Sequence, residues 1–357
     1  MNRRSSSRAA IGLLFLLSAC AAPATRPPQV SPGAVAAEEA IQRRFVIEEL
    51  ARSQRRLDDI GFPLLLAATP LCRDQTTETI GVRARTIDNY ADGFAGAAAV
   101  ALSLTDTLTV LGVAKGSPAS EAGLAPGDRV LRTDGRPLPR GAGAAEAFSD
   151  AIASSEAARV RLEVKRGGSL LTVEATPVTA CNYDLVVTAE GDINAYADGE
   201  RVIVPWPMMR FADDEELTAI VGHEIAHNAM GHSDARIQNL ILGGLLGAVL
   251  DVASGGDVDA DSSATLEFME AAAEAYSQDF EREADYVGAY IVARAGHPLE
   301  GVPGIWRKFA SISPSAISYA GTHPTTAERF VRLGEIIEEI EAKIRAGEEL
   351  LPEFARQ

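Results

Sequence analysis

The pentapeptide His223-Glu224-Ile225-Ala226-His227 constrains the fold of this chain more than any other feature, because it has the form H-E-x-x-H. Residues four apart project from the same face of an α-helix, so a helix here would place both imidazoles side by side. That spacing suits a zinc ion, which binds histidine nitrogens at about 2.0–2.1 Å. The glutamate then lies beside the metal, where it can accept a proton from water. Apolar residues around the motif indicate a buried helix, and the alternative is a pair of surface histidines on a polar helix.

A catalytic zinc site needs a third protein ligand and one position for water. Residues 279–288 read D-F-E-R-E-A-D-Y-V-G and contain three candidates, Glu281, Glu283 and Asp285. Because Glu281 and Asp285 share a helical face, one can bind the metal while the other accepts the N–H of a ligating histidine. The spacing alone leaves open which carboxylate is the ligand. It favours a solvated helix face for Glu283.

The H-E-I-A-H and E-R-E-A-D segments together resemble the zinc metallopeptidase family that includes HtpX and the CaaX prenyl endopeptidase. The resemblance implies one zinc ion per chain, with Glu281 as the third ligand beside His223 and His227. It also implies that Asp285 is the carboxylate that holds a ligating histidine. Asn194, within D-I-N-A-Y-A, resembles the N-A-F/Y element of the family, which implies a strand that aligns the substrate.

A G-T-H-P segment that contains His323 and is followed by Arg329 resembles the T-H-P…R segment of periplasmic members of this family. The resemblance implies that His323 lies near the zinc, as a transition-state donor or as a reversible extra ligand. The alternative is a turn histidine before Pro324, because the residue before a proline favours an extended or turn conformation.

The two other histidines are expected to lie outside the metal site. His232 follows His227 by five residues, which is about 140° around a continuous helix. His297 follows a glycine at a predicted helix end and precedes a proline.

Residues 116–135 read G-S-P-A-S-E-A-G-L-A-P-G-D-R-V-L-R-T-D-G and resemble the core of a PDZ domain. A helix is expected over 144–154, and alternating apolar residues predict strands over 160–166 and 170–178. PDZ grooves bind extended peptides by strand addition, which implies a peptide ligand. The usual carboxylate-binding loop is not apparent before Leu108, so a module that only scaffolds or gates the peptidase is the alternative.

The N-terminus has the pattern of an export signal over residues 1–20, with three arginines before an apolar core that is too short to span a bilayer. The sequence L-S-A-C at 17–20 resembles a bacterial lipobox, which implies a lipid anchor on Cys20 and a periplasm-facing protein. Ala21 favours the outer membrane. An ordinary signal peptide ending in Ala-Cys is the alternative.

Two cysteines remain in the exported chain, Cys72 and Cys181. An even number of cysteines in an oxidising compartment predicts a disulfide between them. Two buried free thiols are the alternative.

The expected fold class is α+β, with a mainly helical zincin-type metallopeptidase domain that carries a small edge sheet, and a β-rich PDZ domain. The apolar run from Leu240 to Leu250 is predicted as a buried or lid helix, with membrane contact as the alternative, and residues 254–263 are predicted as a mobile loop. The boundaries predicted from sequence are a signal peptide over 1–20, a Pro-rich linker over 21–34, a helical segment over 35–75, the PDZ domain over 80–179 and the metallopeptidase over 180–350.

The formal charge of −17 and the absence of a basic patch argue against a nucleic-acid partner. The expected function is a membrane-anchored zinc endopeptidase that cleaves unfolded or misassembled cell-envelope proteins, with Glu224 as the general base. The alternative is an envelope chaperone or assembly factor with latent protease activity, which binds its clients through the PDZ domain.

Overall fold

The computed structural model describes residues 25, 27–155, 158–239, 241, 263–312 and 327–354, with the backbone alone for 263–277. Cys20, His323 and, apart from Ile241, the predicted lid region over 240–262 lie outside these residues. The chain forms two compact units, Met1–Gln42 and Arg43–Gln357. The second unit contains both the predicted PDZ segment and the predicted metal site.

The described helices and strands confirm the α+β class. Among the described helices, none has the length and apolarity needed to cross a membrane. Residues 232–239 are also helical. The helices are α1 (Pro32–Ala67), α2 (Asp92–Ala101), α3 (Pro118–Glu121), α4 (Ala144–Ala153), α5 (Trp206–Phe211), α6 (Asp214–Met230), α7 (Ser263–Arg294), α8 (Val302–Ile312) and α9 (Ala327–Ala346). The strands are β1 (Thr76–Thr79), β2 (Val82–Arg85), β3 (Thr109–Val113), β4 (Arg129–Thr133), β5 (Arg136–Pro137), β6 (Val160–Arg166), β7 (Ser169–Ala175), β8 (Val178–Cys181), β9 (Asp184–Thr188), β10 (Tyr196–Ala197) and β11 (Arg201–Pro205).

The PDZ segment folds as an antiparallel sheet in the order β2-β3-β4-β6-β7, with β5 paired to β4. Strand β6 buries Val160, Leu162 and Val164 and turns the residues between them outward or to partly buried positions, as its alternating sequence predicts. Helix α4 adds Phe148 and Ile152 to the same apolar core. In the described part of the chain, β2 pairs only with β3 and is therefore an edge strand.

The second core is formed by α1 and helices α5 to α9, together with the small sheet β10-β11-β9. Strands β9 and β11 run parallel, and β10 is antiparallel to β11. The side-chain amide of Gln54 on α1 donates to the carbonyl of Leu185 (2.8 Å) and accepts from the amide of Val187 (2.9 Å). Helix α1 thus satisfies backbone groups of β9 that would otherwise form an open sheet edge.

Two connections hold the PDZ segment against α1 and the small sheet. A disulfide joins Cys72 to Cys181, with their Cα atoms 5.8 Å apart, next to the β1–β8 pairing. The guanidinium of Arg83 on β2 makes a two-pronged ion pair with Asp58 on α1 and donates to the carbonyl of Leu185. Burial lowers the pKa of Arg83, but the adjacent Asp58 carboxylate outweighs burial, so the net pKa is raised and the guanidinium stays charged.

Helices α6 and α7 cross at two glycines. A Cβ atom added at Gly288 would lie 3.0 Å from the backbone N and Cα of His223, and one added at Gly222 would lie 2.9 Å from Val292 Cγ2. Only glycine permits this approach, since backbone atoms cannot move aside as a flexible side chain can. The crossing brings the H-E-x-x-H helix against the helix that carries the acidic motif.

We predict that Gly288→Ala lowers the free energy of unfolding by about 1–3 kcal/mol, because the new methyl group overpacks the crossing. Gly334→Ala on α9 is the matched control, since nothing lies within 4 Å of its Cβ position. This control should stabilise the protein by about 0.5–1 kcal/mol through helix propensity. Denaturant unfolding of both variants provides the comparison, and equal effects of the same sign would contradict this account of the crossing.

Candidate metal centre

Helix α6 has strong signals at both ends. At its N-terminus Asp213 and Glu216 form a capping box, in which each side chain accepts from the backbone N–H of the other at 2.9 Å. At its C-terminus Gly231 adopts the left-handed conformation (φ 71°), which ends the helix. His223 and Glu224 are 2% and 3% exposed, so the motif lies in the core as its apolar flanks predict.

The structure brings together His223, His227 and Glu281 as one candidate metal-binding group. The two Nε2 atoms are 3.1 Å apart, and the Glu281 carboxylate lies 3.4 Å from His223 Nε2 and 3.3 Å from His227 Nε2. The edge of a tetrahedron around a zinc ion with nitrogen and oxygen ligands is about 3.4 Å. The three side chains therefore fit a tetrahedral zinc site with one position left for water.

The three carboxylates that the sequence offers as the third metal ligand each have a different contact. Glu281 faces both histidine Nε2 atoms, while Asp285 Oδ1 lies 3.0 Å from His223 Nδ1. Glu283 Oε2 is 2.9 Å from His232 Nε2. The geometry thus favours Glu281 as the ligand and Asp285 as the partner of a ligating histidine. Glu283 lies on an exposed part of α7, as expected from the sequence, and its half-exposed side chain also contacts the buried His232.

Two further side chains surround His223. Arg329 donates to Asp285 Oδ1 at 2.5 Å and lies 3.7 Å from the Glu281 carboxylate. Its guanidinium also stands 3.3 Å above the centre of the Trp306 ring, which packs edge-on against His223. Arg329 belongs to the T-H-P…R pattern, whereas Trp306 lies on an amphipathic helix and carried no sequence signal for the site.

His232 is buried, and its Nδ1 lies 2.9 Å from His227 Nδ1. His232 is outside the metal group, as expected from the sequence. The angle of 140° does not apply, however, because it assumes a continuous helix and α6 ends at Gly231. The chain changes direction there, so His232 returns to the outer side of His227. Gly231, directly before His232, is the sequence feature that indicates the end of the helix. His297 lies just beyond the end of α7, where its backbone N–H bonds to Val292.

The electrostatics of the site favour one positive charge between the carboxylates. Burial lowers the pKa of His223, but hydrogen bonds to Asp285 and Glu281 outweigh burial and raise it to about 9. At His227 burial dominates and the pKa lies below its ordinary value. Burial raises the pKa of Asp285, but Arg329 and His223 outweigh it, so this carboxyl stays ionised. Without a metal ion, His223 holds the proton in the position where a divalent cation fits.

Comparison with known families agrees with this site. The model of peptidase family M48 matches residues 156–337, just over half of the chain. The chain belongs to peptidase family M48. A model of the PDZ domain matches residues 109–166. M48 metallopeptidases are zinc enzymes, and the described residues contain the His-His-Glu group that such an enzyme needs.

Three curated relatives show how far the similarity extends. Metalloprotease YcaL of Escherichia coli (strain K12) is 28% identical over 160 residues, which is 44% of this chain and 61% of the relative. The beta-barrel assembly-enhancing protease of Yersinia pestis is 31% identical over 155 residues, 41% of this chain and 32% of the relative. The mitochondrial metalloendopeptidase OMA1 of Arabidopsis thaliana is 26% identical over 151 residues, 42% of this chain and 30% of the relative. The chain thus spans about a third to three-fifths of these relatives.

Among solved structures, the HtrA3 PDZ domain bound to a phage-derived ligand is similar to part of this chain. The alignment covers 29% of this chain and 88% of that domain, with 23% identity and a TM-score of 0.23.

The small sheet of this M48 chain places its edge strand β10 along the metal helix. Asn228 on α6 accepts from the backbone N–H of Gly199 (2.7 Å) and donates to the carbonyl of Arg201 (3.0 Å), which fixes the β10–β11 turn. Asn194 is not in the strand, since β10 begins two residues later at Tyr196. Asn194 therefore lies just before β10, and a role for this residue in aligning a substrate stays a prediction.

The PDZ groove lies beside β2, and not beside β3, where the sequence predicted the peptide-binding strand. Strand β3, which follows Leu108, is flanked by β2 and β4, so neither of its edges can accept a peptide. A groove of about 330 Å³ lies instead against the edge strand β2 and helix α4, with Phe148, Ser149 and Ile152 among its lining residues. The loop directly before β2 consists of Ile80 and Gly81, and it lies well upstream of Leu108.

We predict that zinc uptake at pH 7 releases about one proton per ion, because His223 has a pKa of about 9 and must be neutral to bind a metal. Below pH 9 the proton on His223 competes with zinc. The apparent zinc affinity therefore rises between pH 7 and 9, by up to about tenfold per pH unit. Calorimetry in two buffers with different heats of ionisation measures the proton. An affinity that is constant from pH 7 to 9 would contradict the assignment.

Proposed function

We propose that this protein is a zinc-dependent endopeptidase. The observation that carries the proposal is the single group formed by two histidines of one helix and a carboxylate of a second helix. Glu224, which follows His223 in the sequence, is buried in the same helix. Membership of family M48 supports the proposal. The proposed ligands are His223, His227 and Glu281, for one zinc ion per chain.

The proposed roles of the protein side chains follow from their positions. A bound zinc ion would supply a Lewis acid that polarises the peptide carbonyl and lowers the pKa of water. Glu224 accepts the proton of the attacking water and returns it to the leaving amine. Asp285 holds the ring of His223, and Arg329 holds Asp285. For His323, which lies outside the described residues, a role as transition-state donor or reversible ligand stays a prediction.

We infer that the substrates are proteins of the bacterial cell envelope that are unfolded or misassembled. One relative is named a beta-barrel assembly-enhancing protease, which supports a client of this kind. The disulfide between Cys72 and Cys181 suits an oxidising compartment. The lipobox-like sequence before Cys20 supports a lipid anchor and a position on the periplasmic side of the outer membrane.

We also infer that the PDZ groove binds extended peptide segments of these proteins. The edge of β2 offers backbone groups for strand addition, and α4 forms the opposite wall. Because Arg83 on β2 is paired with Asp58 and Leu185, the groove strand is attached directly to the peptidase core. A peptide bound there would contact the same compact unit that contains the candidate metal centre.

We predict that Glu224→Gln lowers kcat for casein by at least about 10²–10⁴-fold, because the general base is lost, while zinc content stays at one ion per chain. Glu281→Ala should lose both zinc and activity. Glu215→Gln is the control, because this glutamate is exposed in the first turn of the same helix. A Glu224→Gln variant that kept its full cellular role would favour the chaperone alternative, and a Glu281→Ala variant with full zinc content would refute the ligand assignment.

We predict that Ser149→Tyr blocks the PDZ groove and weakens binding of a peptide selected on the wild-type protein by at least about tenfold. Peptides are selected from a library with free C-termini, and fluorescence anisotropy measures their affinity. Glu146→Tyr is the control, because it lies on α4 outside the groove. Cleavage of a short fluorogenic peptide should be unchanged in both variants. Equal binding by both variants would show that the groove is not the binding site.

A further inference from the structure

The two histidines of the metal group have unequal support from helix α6. His223 is near the middle of the helix and its side chain is 3% exposed, whereas His227 is in the last turn and its side chain is 12% exposed. The last turn of a helix lacks half of its hydrogen bonds and tends to fray. The ring of His227 therefore needs a contact from outside α6 to keep a fixed orientation.

His232 provides this contact. Its side chain is 5% exposed, and its ring stacks on Phe280, with ring centres 4.6 Å apart and planes inclined by 19°. Its Nδ1 lies 2.9 Å from His227 Nδ1, and its Nε2 lies 2.9 Å from Glu283 Oε2. Each nitrogen of His232 is thus matched to one neighbour, and the stack on Phe280 fixes the plane of the ring.

Proton accounting gives the direction of these hydrogen bonds. A neutral histidine that binds a metal through Nε2 carries its proton on Nδ1. The Nδ1–H of His227 must then donate to His232, whose Nδ1 is the acceptor. The remaining proton of neutral His232 is on Nε2, and it donates to Glu283. With His227 as a neutral ligand through Nε2, this is the one arrangement in which both hydrogen bonds have a donor and an acceptor.

We propose that His232 and Glu283 are positioning residues for the metal ligand His227. His232 orients the ring of His227 and holds its proton on Nδ1, and Glu283 selects the required tautomer of His232. The pair does for His227 what Asp285 does for His223. The side chain of Glu283 is 49% exposed, so its carboxylate accepts the last hydrogen bond while it stays partly hydrated.

This inference depends on the proposed zinc site, and its test is metal affinity rather than proteolysis. Zn²⁺ affinity is measured on the whole protein by competition with a chromophoric chelator, and the visible absorption of the Co²⁺ form reports the ligand geometry. His232→Phe keeps the stack on Phe280 and removes the acceptor. We expect it to weaken zinc binding by about 10–100-fold and to change the Co²⁺ bands.

Two variants and a control separate positioning from packing. His232→Asn places an amide oxygen near the position of Nδ1, so it should recover most of the affinity that His232→Phe loses. Glu283→Ala, at a half-exposed side chain, should weaken zinc binding by about 3–10-fold, less than loss of the direct contact does. Asp279→Ala is the matched control, since this exposed carboxylate lies one turn earlier on α7. It should bind zinc as the wild type does.

The outcomes distinguish the inference from the function on which it depends. If the wild-type protein binds no zinc, or Glu281→Ala binds it normally, the proposed function fails. If Glu281→Ala loses zinc while His232→Phe and Glu283→Ala bind it with wild-type affinity, the zinc site stands and the positioning role is overturned. If His232→Phe does not fold, as judged by thermal unfolding without metal, Glu283→Ala and His232→Asn decide the question in the same assay.

Discussion

The close crossing of α6 and α7 is the contact on which the rest of the structure depends. Neither helix carries a complete metal group: α6 supplies two imidazoles, and α7 supplies the carboxylates. Gly222 and Gly288 let the backbones approach until a single methyl group would collide. At that distance Glu281 reaches both histidine Nε2 atoms and Asp285 reaches His223 Nδ1. A wider crossing would separate the ligand atoms beyond the reach of one metal ion.

The residues around the metal group form two chains of contacts, one behind each histidine. Behind His223 the chain runs through Asp285 to Arg329, and the guanidinium balances two buried carboxylates. Behind His227 the chain runs through His232 to Glu283, which is partly hydrated. The first chain ends on a buried positive charge and the second on an exposed negative one. This asymmetry matches the positions of the two histidines, one in the core and the other in the last turn of α6.

Helix α1 connects the two modules, because it contacts both the PDZ edge strand and the small sheet. Its residues Gln54 and Asp58 bind β9 and Arg83 respectively. The disulfide adds a covalent connection between the two ends of the PDZ segment. A groove built on β2 is therefore in mechanical contact with the peptidase core rather than on a loosely attached domain.

The sequence by itself determined the features that depend on neighbours along the chain. The buried metal helix follows from i, i+4 spacing and apolar flanks, strand β6 from alternation, and the PDZ match from a dense local motif. Tertiary structure decided which carboxylate faces the metal and which strand has the open edge, because both depend on how distant segments meet. It also decided the place of His232, since the left-handed residue Gly231 breaks the helical period on which the sequence estimate relied. Periodicity predicts faces only while the element continues, and contacts across its end are set by the fold.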